Sequence, residues 1–147
     1  MERTRRKLIA FSIFILGFAA YTLVSLGLEL FLGSGFENAT IPEGAPENII
    51  DITKMFVAVV TLVMVLPQIY VGIKGICVAR NPDSSGSHIF WAVVLFIFAI
   101  VGIVSAVINL VSDGGAGDGF SMMIDGVIEA IFYLEFIIYA RRVKNGY

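Results

Sequence analysis

Four apolar runs dominate the sequence: Lys7 to Leu32, Ile50 to Cys77, His88 to Val111 and Phe120 to Ala140. A hydrocarbon core of ~30 Å takes ~20 helical residues to cross, and each run is at least about that long. Lipid offers no water to an unpaired N–H or C=O, so only helices and closed barrels span it, and barrel strands alternate with period two. These runs do not alternate. The expected fold is therefore an all-α integral membrane protein, with four transmembrane helices in a single membrane domain over residues 1–147. Composition agrees, with 58% hydrophobic and 15% charged residues against ~25% charged in soluble domains.

The charges orient these spans. Arg3, Arg5, Arg6 and Lys7 precede the first, Lys74 and Arg80 flank the second loop, and Arg141, Arg142 and Lys144 follow the fourth. The first and third loops carry Glu37, Glu43, Glu47, Asp113 and Asp118, with no Lys or Arg. Excess Lys and Arg stay on the cytoplasmic side, so both termini are expected in the cytoplasm of a cell whose cytoplasmic membrane holds the chain. The start, "MERTRRKLIAFSIFILGFAAYTLVS", mimics a signal peptide, but its apolar run continues to Leu32, beyond a 7–15-residue h-region. It is expected to be a retained first span. The net charge of -2 gives no reason to expect a nucleic-acid partner. The single cysteine, Cys77, cannot form an intrachain disulfide and is expected to be a buried thiol. Trp91, Tyr70, Tyr139 and His88 fall near the inner boundary and read as interface anchors.

Polar groups inside the spans turn towards protein or water because lipid cannot solvate them. Lys54, Thr61, Gln68 and Gly75 recur every seven residues and form one stripe along the second span. Beside Gln68, Pro67 lacks the N–H that would pair with the Val63 carbonyl, so a kink with a gating role is expected there. Glu29, Lys54, Asn109, Asp125 and Glu129 concentrate in the outer half. Asp125 and Glu129 lie one turn apart, where their charges are expected to repel each other. Lys54 is expected at the depth of Asp125 and is its natural partner. The same groups serve equally well as structural hydrogen-bond and ion-pair partners across helix interfaces. Gly102-x-x-x-Ala106 and Gly126-x-x-x-Ala130 fit the small-residue spacing that lets helix backbones approach. Spans one and three share Ala19/Ala99, Ser25/Ser105 and Glu29/Asn109 at one offset, and spans two and four share Ile69-Tyr70 and Ile138-Tyr139. Both matches suggest a repeated helical hairpin.

Three classes of function follow. The first is a homo-oligomeric channel or transporter for a cation or proton, using the outward-facing acidic cluster. In a variant of it, "LPQIY" resembles the proline-glutamine dipeptide of the PQ-loop transporters, the sugar-transporting SWEET and SemiSWEET group. The resemblance covers Pro67 to about Trp91 and implies a small-solute transporter whose three-helix unit is spans two to four. The chain departs from that group in its extra first span. "NPDSSGS" also follows the dipeptide late, after "VGIKGICVAR". The second class is a non-catalytic accessory or scaffold subunit with a membrane partner. The third, an enzyme, is not expected. "GAGD" at Gly115 to Asp118 matches the GxGD string of intramembrane aspartyl proteases, but no Tyr-Asp partner accompanies it. One histidine and one cysteine make no redox pair or clustered metal site, and the glycine loop lacks EF-hand spacing. No cofactor or metal is expected. "NAT" at Asn38 is a glycosylation sequon only in a secretory pathway. A channel predicts polar stripes facing an opening, whereas a scaffold predicts them in dry helix contacts.

Overall fold

A computed structural model describes residues 2–32, 49–81, 86–112 and 119–146. The described chain consists of four α-helices: α1 (Glu2–Leu32), α2 (Ile49–Arg80), α3 (Ser87–Ser112) and α4 (Gly119–Lys144). Their bounds fall close to those of the apolar runs. Glu2–Phe31, Ile49–Arg80 and Ser87–Ser112 are long and apolar enough to cross a membrane. The 26 residues of α4 give it similar length, but it carries Asp125, Glu129 and Glu135. α2 passes through Pro67 as one continuous helix, so the proline does not end it. Asn38 and the "GAGD" string lie outside the described residues.

The helices form an antiparallel bundle. α1 packs on α2 and α4, and α3 packs on α4 and α2, while α1 and α3 do not touch among the described residues. One end of the bundle gathers the starts of α1 and α3 with the ends of α2 and α4. This terminal half is closely packed. Ser12, Val71, Gly75, Ala92, Phe136 and Ala140 are buried there, and small side chains let the axes approach. A Cβ on Gly75 would fall on the Ser12 hydroxyl and the Phe136 ring, and one on Gly72 would fall on Leu16. Ser12 is buried because its hydroxyl donates to the Leu8 carbonyl at 2.7 Å, which leaves no unpaired polar group facing α2. Phe132 of α4 stacks on Phe14 at 4.9 Å and lies 5.7 Å from Phe18, which joins α4 to α1. At the same end, Lys7 donates to the Tyr139 hydroxyl at 2.9 Å, and the Tyr70 and Ser87 hydroxyls share a hydrogen bond of 2.6 Å between α2 and α3.

The opposite half is open. No residue of α2 between 49 and 64 is buried. Ile52, Met55, Phe56, Leu62 and Val63 are exposed instead, as suits a helix whose surroundings are hydrocarbon.

Burial repeats along the chain. In α1 the buried residues are Leu8, Ser12, Ile15, Ala19 and Leu26; in α3 they are His88, Ala92, Leu95, Ala99 and Ala106, each 80 positions later. In α2, Val65, Gln68, Val71, Gly72, Gly75 and Val78 are buried; Ala130, Tyr133, Phe136, Ile137, Ala140 and Val143 of α4 follow, each 65 positions later. The steps of three and four residues are those of helices that keep one seam towards their partners. The chain is thus two like hairpins, α1–α2 and α3–α4. The first offset is the one Ala19/Ala99 suggests. The second differs from the Ile69-Tyr70/Ile138-Tyr139 match, which aligns identical letters rather than equivalent positions.

Two single-residue expectations are corrected. Cys77 is exposed, because the inward face of α2 at that level is taken by Val78 and Gly75. His88 is buried rather than an interface anchor, and lies edge-on to the Phe136 ring at 6.2 Å.

Candidate functional site

Where the packed half gives way to the open half, the helices separate around two cavities. The first, of about 440 Å³, lies between α2, α3 and α4. Its base is formed by Gln68 and Tyr133 and its upper wall by Asp125 and Glu129. Ser105 and Asn109 stand on α3 across from these acids. The second, of about 480 Å³, lies between α1 and α4 and is walled by Phe14, Phe18, Tyr21 and Thr22. Asp125 and Glu129 line both, so these two carboxyls form the boundary that the cavities share. The spacing of four residues that sets them one turn apart on α4 also turns them to one side of it. Asp125 is exposed at the rim and Glu129 is half-buried. Among the described residues neither lining contains a lysine or arginine.

Gln68 and Tyr133 are the equivalent residues of the two hairpins, and they meet where α2 touches α4. The Gln68 side chain lies close enough to the Tyr133 hydroxyl to interact with it. Only 8% of Gln68 is exposed, and its Oε1 has no hydrogen-bond partner among the described residues. A buried amide oxygen without a donor costs ~1–3 kcal/mol, unless something in the cavity supplies one.

The other expected site residues separate. Asn109 lines the first cavity. Glu29 lines a third and smaller space of about 190 Å³, with Thr22, Ser25 and Thr61, between α1 and α2. Lys54 is half-buried on α2 and lines none of the three. Pro67 is half-buried beside Gln68 without lining a cavity.

No family model, curated protein or solved structure matches the chain. The PQ-loop resemblance therefore rests on Pro67 to Trp91 alone.

The small residues divide between packing and space. Gly126 packs on α3, where an added Cβ would meet Ile103 Cγ1 at 2.8 Å, and Ala106 and Ala130 are buried. Gly102 behaves differently. Nothing lies within 4 Å of where its Cβ would stand, and it lines the first cavity. Its small size provides room rather than a close helix contact within the chain. Sequence reasoning singled out Gln68 but missed its partner in Tyr133. It also passed over the aromatic wall formed by Phe14, Phe18 and Tyr21. The shared register of Gln68 and Tyr133 was the available signal, hidden because the two side chains have nothing chemical in common beyond a polar tip. Among the described residues no group of three His, Cys, Asp or Glu side chains gathers as a metal site.

Proposed function

We propose that this chain is a membrane transport protein for a cation or proton, with Asp125 and Glu129 as its binding groups. All four helices cross the membrane in this reading, and both termini are cytoplasmic. The basic residues beside the helix ends of the terminal half support that orientation. The open half then faces outwards, where its carboxyls attract a cation before binding it.

One observation carries the reading. Two carboxyls form the common wall of two cavities whose linings, among the described residues, hold no basic residue. A purely structural accessory subunit would bury such groups in dry contacts between helices, because carboxyls at membrane depth are costly unless paired. Here they border open space instead. The packed terminal half closes the way through a single bundle at rest. A continuous path therefore needs that half to rearrange or a second copy to complete it, and self-association belongs to the proposal. The kinetic role of Pro67, where α2 lacks one backbone hydrogen bond, is to make that rearrangement easier.

Cation and proton flux into proteoliposomes tests this, with the native chain compared to Glu129→Gln. Flux that falls at least tenfold in the variant, with helicity unchanged by circular dichroism, is the expected result. Equal flux in both proteins removes Glu129 from the role.

A further inference from the structure

We infer that the cavity between α2, α3 and α4 takes a small organic ammonium ion, a protonated amine carrying an apolar body, rather than a bare metal ion or a proton alone. The inference rests on the transport reading above and names its substrate class.

The first argument is size. A water molecule occupies ~30 Å³ of liquid, and small-molecule pockets run from ~300 to 1,000 Å³. A cavity of about 440 Å³ has the dimensions of an organic ligand. A carboxylate site evolved for a dehydrated metal ion would close around it. The two acids here have no third His, Cys, Asp or Glu side chain gathered with them among the described residues.

The second argument is the direction of the polar groups. At the base of the cavity stands Gln68, which is more than nine-tenths buried and whose Oε1 is an acceptor without a donor among the described residues. The upper wall presents the Asp125 and Glu129 carboxyls, which as carboxylates accept only. A ligand that satisfies both ends must donate hydrogen bonds and carry positive charge. An ammonium group does both, with up to three N–H donors on one centre.

The third argument is the remaining wall. Met64, Leu95, Phe98 and Met122 line the same space and offer only apolar surface, with two methionines whose flexible thioethers adapt to irregular shapes. A hydrated inorganic ion gains nothing from such a wall, whereas an alkyl or aryl group does. Gly102 keeps the volume open, because a side chain there would enter the cavity without touching a neighbouring helix.

The test is n-butylammonium binding to the purified full chain in detergent, measured by calorimetry, with proton and sodium flux in proteoliposomes followed in parallel. Binding is expected for the native chain. Gln68→Leu is expected to weaken it about tenfold, the value of one hydrogen bond to a charged donor. Gly102→Leu is expected to abolish it by filling the space. Circular dichroism and gel filtration establish that both variants are folded. If native protein shows Glu129-dependent flux but does not bind n-butylammonium, the inference fails and the transport reading stands. It also fails if n-butylammonium binds with equal strength to the native chain and Gly102→Leu. If neither binding nor flux responds to Glu129→Gln, both readings fail together.

Discussion

The two hairpins bury the same positions apart from Ala79 and Gly119, yet the crevices between their helices differ in size, and the one in the second hairpin widens into a cavity that α2 helps to wall. The small space between α1 and α2 is lined by Tyr21, Thr22, Ser25, Leu26, Glu29 and Thr61, and of their equivalents only Val101, at the register of Tyr21, stays outside the larger cavity. The residues at the same register in the second hairpin, Gly102, Ser105, Ala106, Asn109 and Gly126, line the cavity of about 440 Å³. The crevices are therefore two versions of one feature. In the second, glycine replaces threonine at two positions, and the acid of α1 becomes an asparagine on α3. The facing helix changes in the opposite sense. Val60 and Met64 of α2 correspond to Asp125 and Glu129 of α4. What the hairpins share is the packing of the terminal half, where small residues and heptad-like steps decide the fit. What separates them is the placement of carboxyls and of empty volume. Packing residues also differ between the hairpins, as at Val71 and Phe136, so it is the meeting of carboxyls with empty volume, not difference alone, that sets the second crevice apart.

Making the hairpins alike should produce the largest effect. The double substitution Asp125→Val/Glu129→Met copies the first hairpin into the second. Cation or proton flux is expected to fall to the level of empty liposomes. Stability is expected to rise, by about 1–3 kcal/mol, since an ionisable group at membrane depth costs ~2.5–3.5 kcal/mol before any partner offsets it. Flux assays and reversible unfolding in mixed micelles read the two quantities. A double variant that is less stable than the native chain would mean that the acids hold helices together, and the comparison would lose its functional meaning.

A second pair of equivalent positions probes the shared part. Gly75 and Ala140 are both buried at the same register, but only Gly75 faces a contact that excludes a side chain. Gly75→Val would drive atoms into Ser12 and Phe136, and overpacking of this kind costs ~1–3 kcal/mol or more. Ala140→Gly removes one methyl group and adds backbone freedom, for about 1 kcal/mol. Unfolding titrations of the two variants are expected to differ by about 2 kcal/mol. Equal losses would show that α1 can yield around Gly75, and that the close approach is not what fixes the first hairpin.

Much of this fold can be read from the letters. The lengths of the apolar runs set the helix bounds to within a few residues, because each helix ends where the apolar run meets polar or glycine-rich sequence. The polar stripe of α2 turned Gln68 and Gly75 inwards, as its spacing of seven requires. Asp125, Glu129 and Asn109 come together because α4 returns beside α3. Other features depend on distance between helices, which periodicity does not contain. Gly102 and Gly126 carry the same small-residue spacing, and only the geometry separates the one that packs from the one that leaves space. Depth along the bundle, on which the expected pairing of Lys54 with Asp125 rests, does not say which cavity a residue lines, and Lys54 lines neither of those that Asp125 borders. The second offset of the repeat was missed because Gln68/Tyr133 and Val71/Phe136 share burial but not identity.

The smallest effect concerns the point where the hairpins meet. Gln68 and Tyr133 occupy equivalent positions, and their side chains come close enough between α2 and α4 for a hydrogen bond. In lipid such a bond contributes little, ~0.6 kcal/mol on average, because the separated helices also find partners for their polar groups. Tyr133→Phe keeps the buried ring and removes only the hydroxyl, so a loss of about 0.6 kcal/mol is expected. Gln68→Leu also removes the unpaired Oε1, which partly or wholly offsets the lost bond, and its net effect on stability should lie near zero. The two substitutions are in contact and should not add. Combined in one chain, they are expected to show a coupling of about 0.6 kcal/mol in unfolding measurements. A coupling above about 2 kcal/mol would mean that this pair holds the hairpins together, and Gln68 would then be a structural bridge first. A coupling near the expected value leaves the amide oxygen as the feature of Gln68 that the packing does not use.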